Sequence, residues 1–125
     1  MRKKIELEYI FSSSVKVLFS RLSTPAGLFV WFVDDVFQKE NHFVFVWNAT
    51  EHTAILKDSK SNSFVRFQWE DRLHEDEYFE FNIRIEPLNQ DVALIITDFT
   101  DEEDEEDSVE LWNKQMDMLH RTLGA

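Results

Sequence analysis

The sequence predicts an α+β fold: an antiparallel sheet of about six or seven strands, two short helices after the first strand, and a long C-terminal helix packed across the sheet. Three observations predict it. Segments in which apolar and polar residues alternate recur between residues 4 and 99, the period of half-buried strands. Short polar turns separate most of them, which favours a meander of antiparallel neighbours. After residue 107 the period becomes helical, and this is the one long helix available to cover the apolar face of the sheet.

The elements follow in order. Ile5, Leu7, Tyr9 and Phe11 alternate with Lys4, Glu6 and Glu8, so Lys4 to Phe11 is expected to be a strand. Ser12, Ser13 and Ser14 offer a helix cap, and Val15, Leu18, Phe19 and Leu22 then recur at amphipathic helical spacing. Thr24 can cap a second helix with Pro25 in its first turn. That helix carries Leu28 and Trp31 inward and stops before Asp34. Strands are expected over Asp34 to Gln38, Phe43 to Trp47, His52 to Asp58, Phe64 to Trp69, Tyr78 to Glu86 and Val92 to Phe99. Turns fall at Lys39 to Asn41, Ser59 to Asn62, His74 to Asp76 and Asn89 to Asp91.

In the clearest strand, Phe79, Phe81, Ile83 and Ile85 alternate with Glu80, Asn82, Arg84 and Glu86. The last strand is apolar on both faces, with Val92, Leu94 and Ile96 on one and Ala93, Ile95 and Phe99 on the other. Its second face is therefore expected to be covered, by a neighbouring subunit or by part of the chain. The closing helix has a seam of Val109, Trp112, Met116, Leu119 and Leu123. Asp107 and Glu110 have capping-box spacing at its start, and Gly124 stands where a C-terminal cap belongs.

Composition narrows the function classes. With 125 residues, 43% hydrophobic, and 12 Phe and 4 Trp among them, the chain can bury a core and is expected to be one domain spanning 1–125. The absence of cysteine removes disulfides, thiol nucleophiles and thiolate metal sites and fits a cytoplasmic protein. The N-terminus is basic, but acids interrupt the apolar residues that follow, unlike a signal peptide. The six-residue apolar run from Leu28 to Val33 is far too short for membrane insertion. Net charge is −12; seven acids lie in the run Asp101 to Asp107, and the remaining 18 still outnumber the 13 bases. Such a body repels nucleic acid and anionic lipid surfaces.

Besides the element order, one segment is distinctive: Pro25-Ala26-Gly27-Leu28-Phe29-Val30-Trp31-Phe32-Val33-Asp34-Asp35. With these the chain resembles the START-like superfamily, also called SRPBCC, which includes polyketide cyclases, birch-pollen-allergen-like proteins and activator-of-heat-shock-ATPase homologues, and the segment is similar to the second helix and following strand of the last. The closing helix with Trp112 is similar too. Compact chains of this layout occur in bacteria. The resemblance implies a helix-grip fold with an apolar cavity between the curved sheet and the C-terminal helix, often holding a lipid-like or polycyclic ligand.

Chemistry-bearing motifs are sparse. His42, His52, His74 and His120 show no metal-ligand spacing and read as surface residues, although His120 follows the seam residue Leu119 and could touch a cavity edge. Asp34 and Asp35 would point to opposite faces of a strand and so do not make a cooperating pair. The acidic run lacks the glycine turn of an EF-hand. It reads as a solvated loop whose last acids favour the positive end of the following helix, with a partner-binding patch or a calcium site as alternatives. No nucleophile elbow or glycine-rich phosphate loop is present, so no catalytic residue, metal or cofactor is assigned.

The aromatic residues are the most suggestive feature. Trp31, Phe32, Trp47, Phe67, Trp69, Phe79, Phe81 and Trp112, with Ile83 and Met116 beside them, either fill a solid core or line a ligand pocket. All of these except Phe79 are carried forward as pocket candidates. The leading expectation is a non-catalytic binder of an apolar small molecule. A protein-interaction domain of co-chaperone type, using its outer surface and acidic loop, is the second, with a homodimer or protein partner. A cyclase- or aromatase-type enzyme is the third, and a polar group protruding into the pocket would favour it.

Overall fold

In the computed structural model, which describes residues 1–72, 76–89 and 91–124, the alternating segments form seven strands of one antiparallel sheet, in the order β1-β7-β6-β5-β4-β3-β2. The strands are β1 (Arg2–Phe11), β2 (Asp35–Lys39), β3 (His42–Trp47), β4 (Thr50–Lys60), β5 (Phe64–Trp69), β6 (Phe79–Ile85) and β7 (Val92–Asp101). The helices are α1 (Val15–Ser23), α2 (Pro25–Trp31) and α3 (Glu105–Leu123). The meander runs from β2 to β7, which then pairs with β1; α1 and α2 carry the chain from one sheet edge to the other. The expected turn residues His74, Glu75 and Gln90 lie outside the described residues.

Local chemistry sets the helix ends. Ser14 Oγ accepts from the Val17 amide and Thr24 Oγ1 from the Gly27 amide, so both N-termini are capped by the expected residues. Gly27 is required by packing: a Cβ there would lie 2.0 Å from the Ser20 carbonyl oxygen of α1, so the two helices can cross this closely only without a side chain. Gly124 adopts φ 72° and closes α3 with amide contacts to the Arg121 and His120 carbonyls.

All three helices lie on one face of the sheet. Beneath them Leu18, Leu22, Leu28, Phe43, Phe45, Phe67, Phe81, Leu94, Ile96 and Leu119 are inaccessible to solvent. From α3, Trp112, Met116 and Leu119 enter this core, with Val109 and Leu123 at its margin.

Three expectations are revised. The acidic run is not a loop: Asp101 ends β7, Glu102–Asp104 form a 3-10 turn, and Glu105 to Asp107 are the first turn of α3. The Asp107–Glu110 capping box is therefore inside the helix, whose N-cap is Asp104. Carboxylates at the positive end of the helix extend it backwards, helped by Lys3, which pairs with Glu105 at 2.7 Å. Strand β4 is longer than expected because a bulge between Leu56 and Asp58 lets the ladder continue to Lys60. Ile85 keeps its alternation but sits at the uncovered end of β6, half exposed.

The outer face of β7, expected to be covered by a neighbouring subunit or by part of the chain, is half-buried by the chain itself. Within the chain, it is roofed by side chains of flanking strands rather than by a segment. Arg84 of β6 reaches across β7 to Glu8 of β1 at 3.0 Å. Beside it Arg66 pairs with Glu80 at 2.9 Å and lies 4.2 Å from the Tyr78 ring centre, and Tyr78 meets Phe99 edge-on. Ile95 and Phe99 are thereby half-buried by aliphatic and aromatic parts of polar residues.

Candidate functional site: a cleft at the mouth of the sheet

Three devices fix the first half of α3 over the sheet. Thr100 Oγ1 and Ser108 Oγ are 2.8 Å apart, Tyr9 Oη donates to Asn113 Oδ1 at 2.6 Å, and Trp112 Nε1 donates to Asp98 Oδ2 at 2.9 Å. The far end is held by His120, which stacks on Phe11 at 3.9 Å and places Nε2 2.8 Å from the Ile10 carbonyl. His120 therefore anchors the helix to β1.

Beside the Trp112–Asp98 bond the packing is incomplete. A cleft of about 460 Å³ opens between α3, the end of α2 and the concave ends of β3, β4, β5 and β7. Phe32, Trp47, Trp69 and Trp112 form its apolar walls, and Leu111 stands at its rim, 58% exposed. Trp47 is oriented by its indole N–H, which donates to the Phe32 carbonyl at 2.6 Å. Phe32 lies nearly parallel to Trp112 at 6.0 Å, and Trp47 meets Trp69 at 6.0 Å. Asn48, His52, Ser108 and Gln115 supply polar groups.

Sequence reasoning missed Asn48, Asp98, Ser108, Leu111 and Gln115 in this cleft, and among these Asp98 is the ionisable group. It lies opposite Ile5 on the inner side of β7, half-buried, with Oδ1 accepting from the Phe99 amide at 2.8 Å and Oδ2 from Trp112. Burial pushes its carboxyl above the usual aspartate value; the two hydrogen bonds and the nearby Arg2 guanidinium pull the other way, and Glu77 adds to the rise. A sequence signal existed. Val92, Leu94, Ile96, Asp98 and Thr100 share one side of the strand, and a carboxylate breaks that inward series.

The nine pocket candidates divide between two places. Phe32, Trp47, Trp69 and Trp112 border the cleft. Trp31, Phe67, Phe81, Ile83 and Met116 sit in the packed core, with the Trp31 indole N–H bound to the Arg21 carbonyl at 2.7 Å. Asp34 and Asp35 do separate jobs: Asp34 accepts from the Asn48 amide and Asp35 from the Val36 amide. Among the described residues no group of three His, Cys, Asp or Glu is placed to hold a metal ion, and no helix is long and apolar enough to cross a membrane.

The fold and cleft define a sheet gripped by a C-terminal helix, and the chain belongs to the START-like superfamily, whose domain model matches residues 1–125. Among solved structures it is similar to BfR322 from Bacteroides fragilis, with 36% identity, TM-score 0.70, and coverage of 97% of this chain and 90% of that one. The Aha1 dimer from Colwellia psychrerythraea shares the fold at 15% identity and TM-score 0.80, over 97% of this chain and 96% of that one. CalU16 from Micromonospora echinospora does so at 14% and 0.73, over 98% and 76%. The last two likenesses concern the fold alone. Among curated proteins none matches the sequence.

Proposed function

We propose that this domain is a non-catalytic binder of an apolar small molecule, held in the cleft between the sheet and α3. The observation that carries this reading is the cleft itself. An opening of about 460 Å³ walled by three indoles and a phenyl ring has the size and lining of a small-molecule site. The test is saturable binding of a neutral apolar dye, Nile red, together with native mass spectrometry of protein purified from cells. Leu111→Arg, at the exposed rim, should abolish dye binding and leave the melting temperature unchanged. Dye binding that survives this change, or none in the wild type, would defeat the reading. A co-purifying protein in place of a small molecule would favour the protein-interaction alternative.

Asp98 supports a second reading, a cyclase- or aromatase-type enzyme, because a half-buried carboxyl of raised pKa is suited to proton transfer. Under that reading Asp98→Asn would retain the bound molecule and stop its conversion.

A further inference from the structure

We propose that the cleft selects ligands carrying an ammonium group on an apolar chain or ring, with Asp98 as the counter-ion and the surrounding indoles as the cage; this rests on the cleft being a ligand site. The carboxylate carries the argument. Each Asp98 oxygen receives one described donor, from Trp112 or Phe99, although a carboxylate can accept about four hydrogen bonds. Among the described residues no Lys, Arg or His is in ion-pair contact with it. Arg2, whose field it feels, is bonded elsewhere: to both Glu77 oxygens at 2.9 and 2.6 Å, and to Asp101 at 3.5 Å. A half-buried negative charge with spare lone pairs is stabilised by a cation brought to it.

The walls have the matching property. The faces of Trp47, Trp69 and Trp112 attract cations through their quadrupoles, most strongly when water is excluded. Trp69 and His52 also form the border with an adjoining hollow of about 400 Å³, whose edge carries Glu51, Glu70 and Asp71 alongside Arg72. With a net charge of −12, the field of the body favours cations over carboxylate or phosphate heads, against the local opposition of Arg2 and Arg72, which line a hollow of about 150 Å³ beside Asp98.

Three probes of equal chain length separate the possibilities: n-octylammonium, 1-octanol and octanoate, titrated at fixed ionic strength into ¹⁵N-labelled protein. The indole N–H signals of Trp47, Trp69 and Trp112 report the cleft, and that of Trp31, bonded to Arg21 outside it, is the internal reference. Octylammonium should bind at least about tenfold more tightly than octanol, the scale of one charge-assisted hydrogen bond, and octanoate most weakly. Asp98→Asn, which keeps an acceptor for Trp112, should bring the affinity for octylammonium down to that for octanol in the same variant. Octanol binding as well as octylammonium would overturn the ammonium assignment while leaving the cleft a ligand site. No cleft shifts with any probe would remove both readings. An ammonium advantage undiminished in Asp98→Asn would remove Asp98 as its cause. If that variant does not fold, the wild type is titrated with falling pH: the ammonium advantage should vanish as the Asp98 carboxyl takes up its proton, and an advantage that persists in acid would remove Asp98 as its cause.

Discussion

The two halves of the concave face obey different rules. Beneath α1, α2 and the second half of α3, phenylalanines and leucines are sealed from solvent. At the mouth, beneath the first half of α3, three departures collect within one region. A carboxylate is half-buried at Asp98, Leu111 is left exposed, and the β3–β4 hairpin places Ala49 at φ 63° beside Asn48 at φ 50°. Exposed apolar side chains and positive φ also occur elsewhere, as at Phe29, Glu40 and Asn62, so the half-buried carboxylate beside open space is what marks the mouth as shaped for something other than stability. The comparison therefore separates the part of the molecule that holds it together from the part available for binding.

The largest expected effect breaks the packed half. Phe81 is fully buried and its ring lies about 6 Å from those of Trp31, Phe32, Phe79 and Trp112. Phe81→Ala should cost about 3–5 kcal/mol, since the surrounding rings cannot collapse into the void. Leu111→Ala at the mouth should cost less than about 0.5 kcal/mol. Equal losses on chemical denaturation would mean that the two regions are not distinct.

How far this division was legible follows from its physics. Burial of a strand face repeats every second residue, and burial of a helix every third or fourth, so the strands and the α3 seam could be read from periodicity, and the caps at Ser14, Thr24 and Gly124 from residue type. Periodicity also grouped Trp31, Phe67 and Phe81 with Trp47, Trp69 and Trp112, because it reports which side a ring faces and not whether the space before it is filled. That depends on how far α3 stands from the sheet, a property of several elements at once. The acidic run was misread for a related reason: seven repelling carboxylates look like a loop until Lys3, about a hundred residues away in sequence, is placed against Glu105.

Next in size is the contribution of Asp98 to pH-dependent stability. Its folded pKa is raised above the ordinary 3.8 by burial, so the folded state binds its proton more tightly than the unfolded state. Stability from this group is complete below about 3.8 and declines as the pH rises through the folded value. Asp98→Asn removes the decline and keeps the acceptor for Trp112. The variant should melt higher than wild type at pH 7, and the gap should close as the pH falls below the carboxylate range. A gap that is constant with pH, or of opposite sign at neutrality, would show that the carboxylate is not held at a cost.

The smallest effect sharpens the comparison at one backbone position. Strands β3 and β4 are joined by only Asn48 and Ala49, since Trp47 pairs with Thr50, and both loop residues have positive φ, as a two-residue hairpin of type I′ demands. Asn tolerates that conformation and is held there by its backbone N–H, which donates to Asp34 Oδ2 at 2.8 Å. Alanine does not tolerate it well: its Cβ crowds the backbone in the left-handed region, whereas glycine carries no such penalty. Glycine has more freedom to lose from the unfolded chain, which offsets part of the gain. Ala49→Gly should therefore stabilise the protein by up to about 1 kcal/mol. Asn48 borders the cleft, so the same variant tests whether strain at the mouth matters to binding. If Nile red affinity falls while stability rises, the left-handed alanine helps to shape the cleft. If affinity is unchanged, the strain is incidental, and the open packing around Asp98 and Leu111 alone distinguishes the mouth from the core.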